Sequence, residues 1–340
     1  MILVGDIGGT NTTLATVEHS DGQFIVRAKE RFSTISLSGI TDALRMFRER
    51  HEPEWRATEL CCLSGAGPVL NGVCRMTNVH FEIHEDDVRR EVGVETFIIN
   101  DFSAICYALP LLDTHSHIDT LTFPHPDGSL PEPHGSVRAV VGAGTGLGTG
   151  YLIEDRGHYV AHPSEGGHSD FPATEPLMDE FGRFMRGRFR VAPGIEQYVS
   201  GQGIANAFNF FVNSGRLDRD GEVERIAELP DSEKPGPIAT AAADHKGIAA
   251  VMRLFVRLYA RYASNTTLFF LPRGGLYLAG GIAAKNESWF TSDHLFMREY
   301  ETNYNERITP LLKETPVVLI KDYEVSLYGA AHAATSLAQS

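Results

Sequence analysis

Several short stretches of this 340-residue chain carry side chains whose types and spacing do chemistry. Phe97-Ile98-Ile99-Asn100-Asp101-Phe102 sets a carboxamide and a carboxylate at the end of an apolar strand. Ligands of α/β domains bind beyond the carboxyl ends of strands. A carboxylate there can accept the proton of a substrate hydroxyl as it attacks phosphorus. An aspartate of ordinary pKa, about 4, is ionised at neutral pH and ready for that task. The competing reading makes Asp101 the N-cap of a helix over Phe102–Leu109.

Two glycine-rich turns invite phosphate. Gly5-Asp6-Ile7-Gly8-Gly9-Thr10-Asn11 follows a strand, and side-chain-free glycines let backbone amides converge on an anion while Thr10 adds a hydroxyl. Asp6 at the strand end can hold a water of Mg²⁺. Alone, this turn reads equally well as a plain hairpin. The second turn, Gly142–Gly150, has five glycines in nine residues with Thr145 inside. The dinucleotide fingerprint G-x-G-x-x-G fails there in every frame, because its third glycine would be Leu147, Thr149 or Tyr151. No G-x-x-x-x-G-K-[ST] occurs either. What remains is two separate turns, one per α/β segment, suited to gripping a triphosphate.

Pro163-Ser164-Glu165-Gly166-Gly167-His168 combines carboxylate, glycines and imidazole in six residues. Such a set grips hydroxyl-rich ligands, since a carboxylate accepts and a neutral imidazole both donates and accepts. A loop with a satisfied histidine is the alternative. Glu196 precedes Tyr198-Val199-Ser200-Gly201-Gln202-Gly203, and by itself reads as a solvated helix residue. His115, His117 and Asp119, with His125 and His134, hint at a metal but sit in a polar stretch without a rigid ligand frame. Phe181–Arg190 interleaves four Arg with three Phe, which on an acidic chain reads as a solvated helix face. No H-E-x-x-H and no G-x-S-x-G occurs.

These residues need strands and helices to place them. The pattern predicts strands at 2–17 around the first turn, 24–29, 61–63, 73–76, 96–99, 137–141, 275–280 and 317–320. Helices are expected at 39–51, 84–92, 102–109, 238–270 and 325–338. Residues 113–136 read as a long loop and 217–236 as a polar surface excursion. The alternation is that of an α/β protein.

Composition sets outer limits. With 30 basic and 44 acidic side chains the net charge is −14, which argues against nucleic acid and anionic membranes as partners. No apolar run approaches the roughly 18 residues of a membrane span, and the N-terminus lacks signal-peptide character, so a cytoplasmic location is expected. Cys61, Cys62, Cys74 and Cys106 form no C-x-x-C and read as buried thiols. Glycine numbers 33 of 340, and sixteen of those lie in or beside the turns named above and the pairs 201/203, 274–275 and 280–281.

Taken in order, Gly5–Asn11, Ile99-Asn100-Asp101-Phe102, Gly142–Gly148, Ser164–Phe171, Ser200–Gly203 and Leu278-Ala279-Gly280-Gly281-Ile282 resemble the bacterial-type glucokinases of the actin-like sugar-kinase superfamily. The resemblance runs from residue 2 to about 335. It implies an α/β, two-domain actin-like (ribonuclease H-like) sugar kinase fold with an interdomain cleft. The expected division is a small domain, 1–111 plus 322–340, and a large one, 112–321. It further implies ATP-dependent phosphorylation of the glucose 6-hydroxyl, with Asp101 as general base. Asn100, Glu165, His168 and Glu196 would hold the other hydroxyls. Gly5, Asp6, Ile7, Gly8, Gly9, Thr10 and Thr145 would cradle ATP phosphates, with Gly280 and Gly281 near the adenosine. Mg²⁺ is expected on the phosphates, through water to Asp6, with no metal held by the protein alone. A homodimer is expected, the long apolar helix packing inside one domain or at its interface. Thr12-Thr13 stands where the familiar members carry Ala-Arg, and Gln202 where Pro is common. The zinc-binding cysteines of the repressor–kinase branch have no counterpart beyond Cys106. A kinase for another hexose or amino-sugar and a non-catalytic sugar sensor are the alternatives; a dinucleotide dehydrogenase fails on its fingerprint.

Overall fold

The computed structural model describes residues 1–76, 79–171, 173–322 and 324–339. Two units divide the chain: Met1–Asp119 with Gly150–Pro163 and Asp322–Ser340, and Thr120–Thr149 with Ser164–Lys321. Relative to the expected 1–111 plus 322–340, residues 112–119 and 150–163 also fall in the first unit.

In the first unit, β-branched and apolar residues build strands β1 (Ile2–Ile7), β2 (Asn11–Ser20), β3 (Gln23–Ser33) and β4 (Leu60–Gly65). A small antiparallel sheet follows, from β5 (Val69–Leu70), β6 (Val73–Arg75) and β7 (Glu82–His84), and then β8 (Glu95–Asn100). The main sheet has the order β3-β2-β1-β4-β8, with β1, β4 and β8 mutually parallel. Ile7 pairs with Gly65, and Gly65 with Asn100, so the three strands end level at one edge. Leu3, Ile7, Leu14, Leu63 and Ile98 pack with Leu44 and Phe47 of helix Ile40–Arg50. Helices Asp101–Ala108 and Val325–Leu337 pack against each other, and the second also covers β1 and β4.

The second unit supplies most strands of a six-stranded sheet. Its strands are β9 (Thr120–Thr122), β10 (Val137–Ala143), β11 (Leu147–Asp155), β12 (His158–Ser164), β13 (Leu276–Ala279) and β14 (Val317–Ile320), in the order β12-β11-β10-β13-β14-β9. β10 runs parallel to β13, and β13 to β14. Helix Lys246–Phe270 buries Val251, Met252, Phe255 and Tyr259 inside this unit.

Three expectations change. The helix expected over 238–270 is two helices, Pro235–Ala241 and Lys246–Phe270. The break is a cap: His245 Nδ1 accepts from the amides of Gly247 and Ile248 at 3.2 Å, and its Nε2 pairs with Asp220 at 2.7 Å. The loop expected at 113–136 contains β9, which pairs antiparallel with β14. The excursion at 217–236 contains helix Gly221–Ala227, capped by Asp220. The helix Pro176–Arg188 buries Phe181 and Met185 and turns Arg183, Arg186 and Arg188 outward, the solvated face anticipated from sequence. The four cysteines are buried thiols without a disulfide among the described residues.

His115 lies in the polar loop after Leu109–Asp113, yet its side chain is turned inward and is 1% exposed. Its Nε2 accepts from the Phe24 amide at 3.1 Å and its Nδ1 lies 3.1 Å from the Leu111 carbonyl, a pairing that a neutral ring satisfies. His332 meets the Tyr107 carbonyl at 2.6 Å, and the rings of His19, Phe24, His115, His117, Tyr107 and Tyr328 pack around the pair. Burial, then the neighbouring imidazoles, lower the pKa of both His115 and His332. Their folded pKa lies below the unfolded value of about 6.5. The stability they hold is therefore complete above that pH and is lost as pH falls below it. Urea unfolding between pH 8 and 5.5 should show a loss of up to about 1.4 kcal/mol per histidine, and His332→Phe should flatten the slope. An unaltered slope in that variant would contradict the assignment.

Candidate active site

The level ends of β1, β4 and β8 concentrate the first unit's polar groups. Asn100, not Asp101, caps the helix that follows: its Oδ1 accepts from the amides of Phe102 at 2.9 Å and Ser103 at 3.3 Å. Its Nδ2 donates to the Gly67 carbonyl at 3.1 Å. Asp101 therefore sits in the first helical turn, where its Oδ1 accepts from the Phe102 amide at 3.0 Å. Adjacent residues both suit a cap, and the extended backbone of Asn100 decides which one serves. The cap reading of Asp101 is corrected, and Asn100 takes that role.

Asp101 is half-buried. Burial first, and then repulsion from the Asp6 carboxylate, push its pKa up to about 6, against the helix-start amide. The ordinary value of about 4 expected from sequence does not hold. Asp6, at the end of β1, is also raised by burial, while the Ser326 hydroxyl, donating to its Oδ2 at 2.8 Å, works the other way. Ser326 lies on the closing helix Val325–Leu337, 320 residues away in sequence. No local signal marks it.

The first glycine turn is closed by its own backbone. Gly8 N donates to the Asn11 carbonyl at 2.9 Å, and Thr34 Oγ1 donates to the Gly8 carbonyl at 2.9 Å. Thr10 at its tip is exposed. In the second unit, Gly144 N donates to Gly146 O at 2.8 Å, and Gly144 O accepts from Gly201 N at 2.9 Å. Thr145 between them is exposed. Parallel pairing of β10 with β13 sets Gly142 opposite Ala279, so Gly280-Gly281 emerges beside this turn. Gly280 has φ of +89°, and a Cβ there would lie 2.6 Å from the Ala143 carbonyl oxygen. Only glycine fits that close approach. The Tyr259 hydroxyl accepts from the Ala143 amide and donates to the Val141 carbonyl, both at 3.2 Å, bracing the strand that carries the turn.

Glu165 and His168 flank a single turn of 3₁₀ helix, Gly166–His168. Their side chains are 78% and 70% exposed, and His168 Nε2 stands 3.7 Å from Glu165 Oε2. So exposed a pair contributes little to stability and stays open to a ligand. Glu196 is no solvated helix residue. Its Oε2 accepts from the Leu147 amide at 2.9 Å, immediately after the second glycine turn. Gly194, two residues before it, bridges to Asp170. The structure thus gathers Glu165, His168, Glu196, Thr145 and Gly280-Gly281 in the second unit, and Gly5–Thr10, Asn100 and Asp101 in the first. Sequence reasoning missed Ser326, Gly67 and Leu147 as supports.

No set of three His, Cys, Asp or Glu among the described residues forms a metal-holding group. The donors present, two desolvated carboxylates, Asp6 and Asp101, without a third ligand among the described residues, fit an ion that arrives on a phosphate chain and is touched through water. Among the described residues no helix is long and apolar enough to cross a membrane.

Glycine turns at the ends of parallel strands, with a desolvated carboxylate beyond another, place the chain among two-domain α/β sugar kinases. The comparisons make the family specific. A sequence model of the family Glucokinase matches residues 3–337. A glucokinase of Nostoc punctiforme is 30% identical over 352 residues, covering 99% of both chains. Among solved structures, glucokinase from an Antarctic psychrotroph superposes with TM-score 0.82 at 23% identity over 98% of each chain. A ROK family glucokinase from Streptomyces griseus, in complex with glucose and AMPPNP, gives TM-score 0.63 at 19% identity, covering 98% of this chain and 99% of that one. The chain belongs to the glucokinase family, whose reaction is the ATP-dependent phosphorylation of glucose.

The raised pKa of Asp101 carries a stability cost with a definite sign. Its folded value, about 6, lies above the ordinary carboxylate value, so stability falls as pH climbs from about 4 through 6 and stays reduced above. Asp101→Asn should gain about 1–3 kcal/mol at pH 8 and nothing near pH 4, read by urea unfolding at both. An equal change at the two pH values would refute the burial argument.

Proposed function

We propose that Asp101 is the general base that takes the proton from the 6-hydroxyl of glucose as that oxygen attacks the γ-phosphorus of ATP. The new O–P bond forms, the bond to ADP breaks, and the proton resides on the Asp101 carboxylate before passing to solvent. One observation carries this reading: a half-buried carboxylate at the end of β8, raised to about 6 by burial and by Asp6. Such a base is mostly ionised at neutral pH yet holds a proton more strongly than an ordinary aspartate, which favours transfer. Phosphoryl transfer asks mainly for alignment and charge stabilisation, so the rest of the site positions.

In this reading Glu165, His168 and Glu196 bind the remaining sugar hydroxyls, supported by the exposure of the first two. Asn100 both caps its helix and contributes to sugar binding, with its Oδ1 and Nδ2 already held by backbone groups. That favours a fixed contact over a mobile one. Gly5, Asp6, Ile7, Gly8, Gly9 and Thr10, with Thr145 of the other unit, receive the phosphates through amides and the exposed threonine hydroxyls. Gly280 and Gly281 lie toward the adenosine. Mg²⁺, when bound on the phosphates, supplies charge neutralisation there, and Asp6 orients one of its waters. We extend the same reading to a cytoplasmic homodimer. Phe269, 79% exposed near the end of the long helix, supports a self-contact.

Asp101→Ala should lower kcat by about 10²–10⁴-fold with KM for glucose changed only a few-fold. In the unaltered chain kcat/KM should fall tenfold per pH unit below about 6, following the carboxylate. Coupled measurement of ADP release with glucose tests both. An alanine variant that keeps most of its kcat rules out Asp101 as the base.

A further inference from the structure

Leu147 is the first residue of β11, directly after the turn Gly144–Gly146. Its two backbone polar groups face sugar-side elements. The amide donates to Glu196 Oε2 at 2.9 Å. The carbonyl oxygen stands so close to Gly167 Cα that any Cβ at 167 would collide with it, and Gly167 lies between Glu165 and His168. Next to it, a Cβ on Gly146 would lie 2.5 Å from Glu196 Oε2. The carboxylate is therefore seated on the turn itself, and a side chain at 146 would push it from that seat.

Further links stiffen the assembly. Gly201 N ties Gly144 O to the helix that follows Glu196. The Thr149 hydroxyl meets the Tyr262 hydroxyl at 2.5 Å, and a Cβ on Gly166 would meet that same tyrosine oxygen at 2.6 Å. The segment 144–149 thus touches each element that carries a proposed sugar-binding side chain of this unit. All of these contacts lie within one unit.

We propose that Glu196, seated on the Gly146–Leu147 peptide, couples the sugar and nucleotide subsites, so that each ligand raises the affinity for the other. This inference rests on the sugar and phosphate roles assigned above. Its physical basis is a shared acceptor. A sugar hydroxyl that orients the Glu196 carboxylate fixes its bond to Leu147 N, and that bond sets the turn which receives phosphate. The ordering of the turn is then completed by the first ligand, and the second meets a turn already formed. Coupling free energies are reciprocal, so the factor by which glucose tightens the nucleotide must equal the converse factor.

Isothermal titration of the whole chain with AMPPNP and Mg²⁺, with and without saturating glucose, reads this factor; glucose titrated with and without AMPPNP and Mg²⁺ reads the converse factor, which must equal it. The unaltered chain should show a factor of about 5 or more in both directions. Gly146→Ala, which displaces the carboxylate, should bring the factor below about 2. Glu196→Ala removes the carboxylate without a clash and should do the same, so the outcome stands even where Gly146→Ala fails to fold. Glu196→Gln, which keeps an acceptor for Leu147 N, should retain coupling above that of Glu196→Ala. A factor of 1 in the unaltered chain, or one unchanged in both Gly146→Ala and Glu196→Ala, overturns the coupling and leaves the kinase reading standing. Failure of the unaltered chain to bind glucose or AMPPNP at all overturns the functional reading and the coupling together.

Discussion

The site rests on two carboxylates that the parallel pairing of β1, β4 and β8 forces toward one sheet edge. The register Ile7–Gly65–Asn100 makes the strands end together, so the residues at and just past their ends, Asp6 and Asp101, share a partly dry environment. Neither charge has a basic partner among the causes of its shift: burial and mutual repulsion dominate for Asp101, and burial for Asp6. A fold does not keep such an arrangement for stability. What it gains is a carboxylate of raised affinity for protons, held by a helix start whose cap is supplied by the neighbouring Asn100, the property the proposed base role requires.

Around that pair the architecture divides its labour. The first unit fixes the two carboxylates: Asn100 locks the helix start that carries Asp101, and Ser326 of the closing helix holds Asp6. The second unit presents a turn with few side chains, Gly144–Gly146, braced by Tyr259 beneath β10 and by Gly201 beside it. Glu196 bonds to the end of that turn, and Glu165 and His168 stand exposed on a neighbouring segment. The glycine surplus acquires a reason in this arrangement. At 146 and 280 a Cβ would occupy space already held by a carboxylate oxygen or a carbonyl oxygen.

Much of this was legible in the sequence. Strands ending in Asp6 and in Asn100-Asp101, the two glycine turns and the Glu165–His168 group all announce themselves through local patterns of residue type. What escaped depends on contacts between distant segments. Ser326 is an ordinary helix residue until the closing helix lies over β1. Glu196 reads as solvated because its partner, Leu147 N, is 49 residues away. The exchange of capping roles between Asn100 and Asp101 turns on one backbone conformation, which neighbouring cap-forming residues do not specify. The break before Lys246 hid for a similar reason: a histidine cap completed by Asp220 interrupts an apolar pattern that otherwise continues. The ordinary pKa assumed for Asp101 failed because residue type carries no information about desolvation.

Asp6 and burial together raise the Asp101 carboxyl, and the site depends on this coupling. Its direct test is the titration of that carboxyl by ¹³C NMR, in the unaltered chain and in Asp6→Asn. The expected midpoint is about 6, moving toward the ordinary aspartate value when the Asp6 charge is removed. A midpoint near the ordinary value in the unaltered chain, or one that ignores Asp6→Asn, would contradict it.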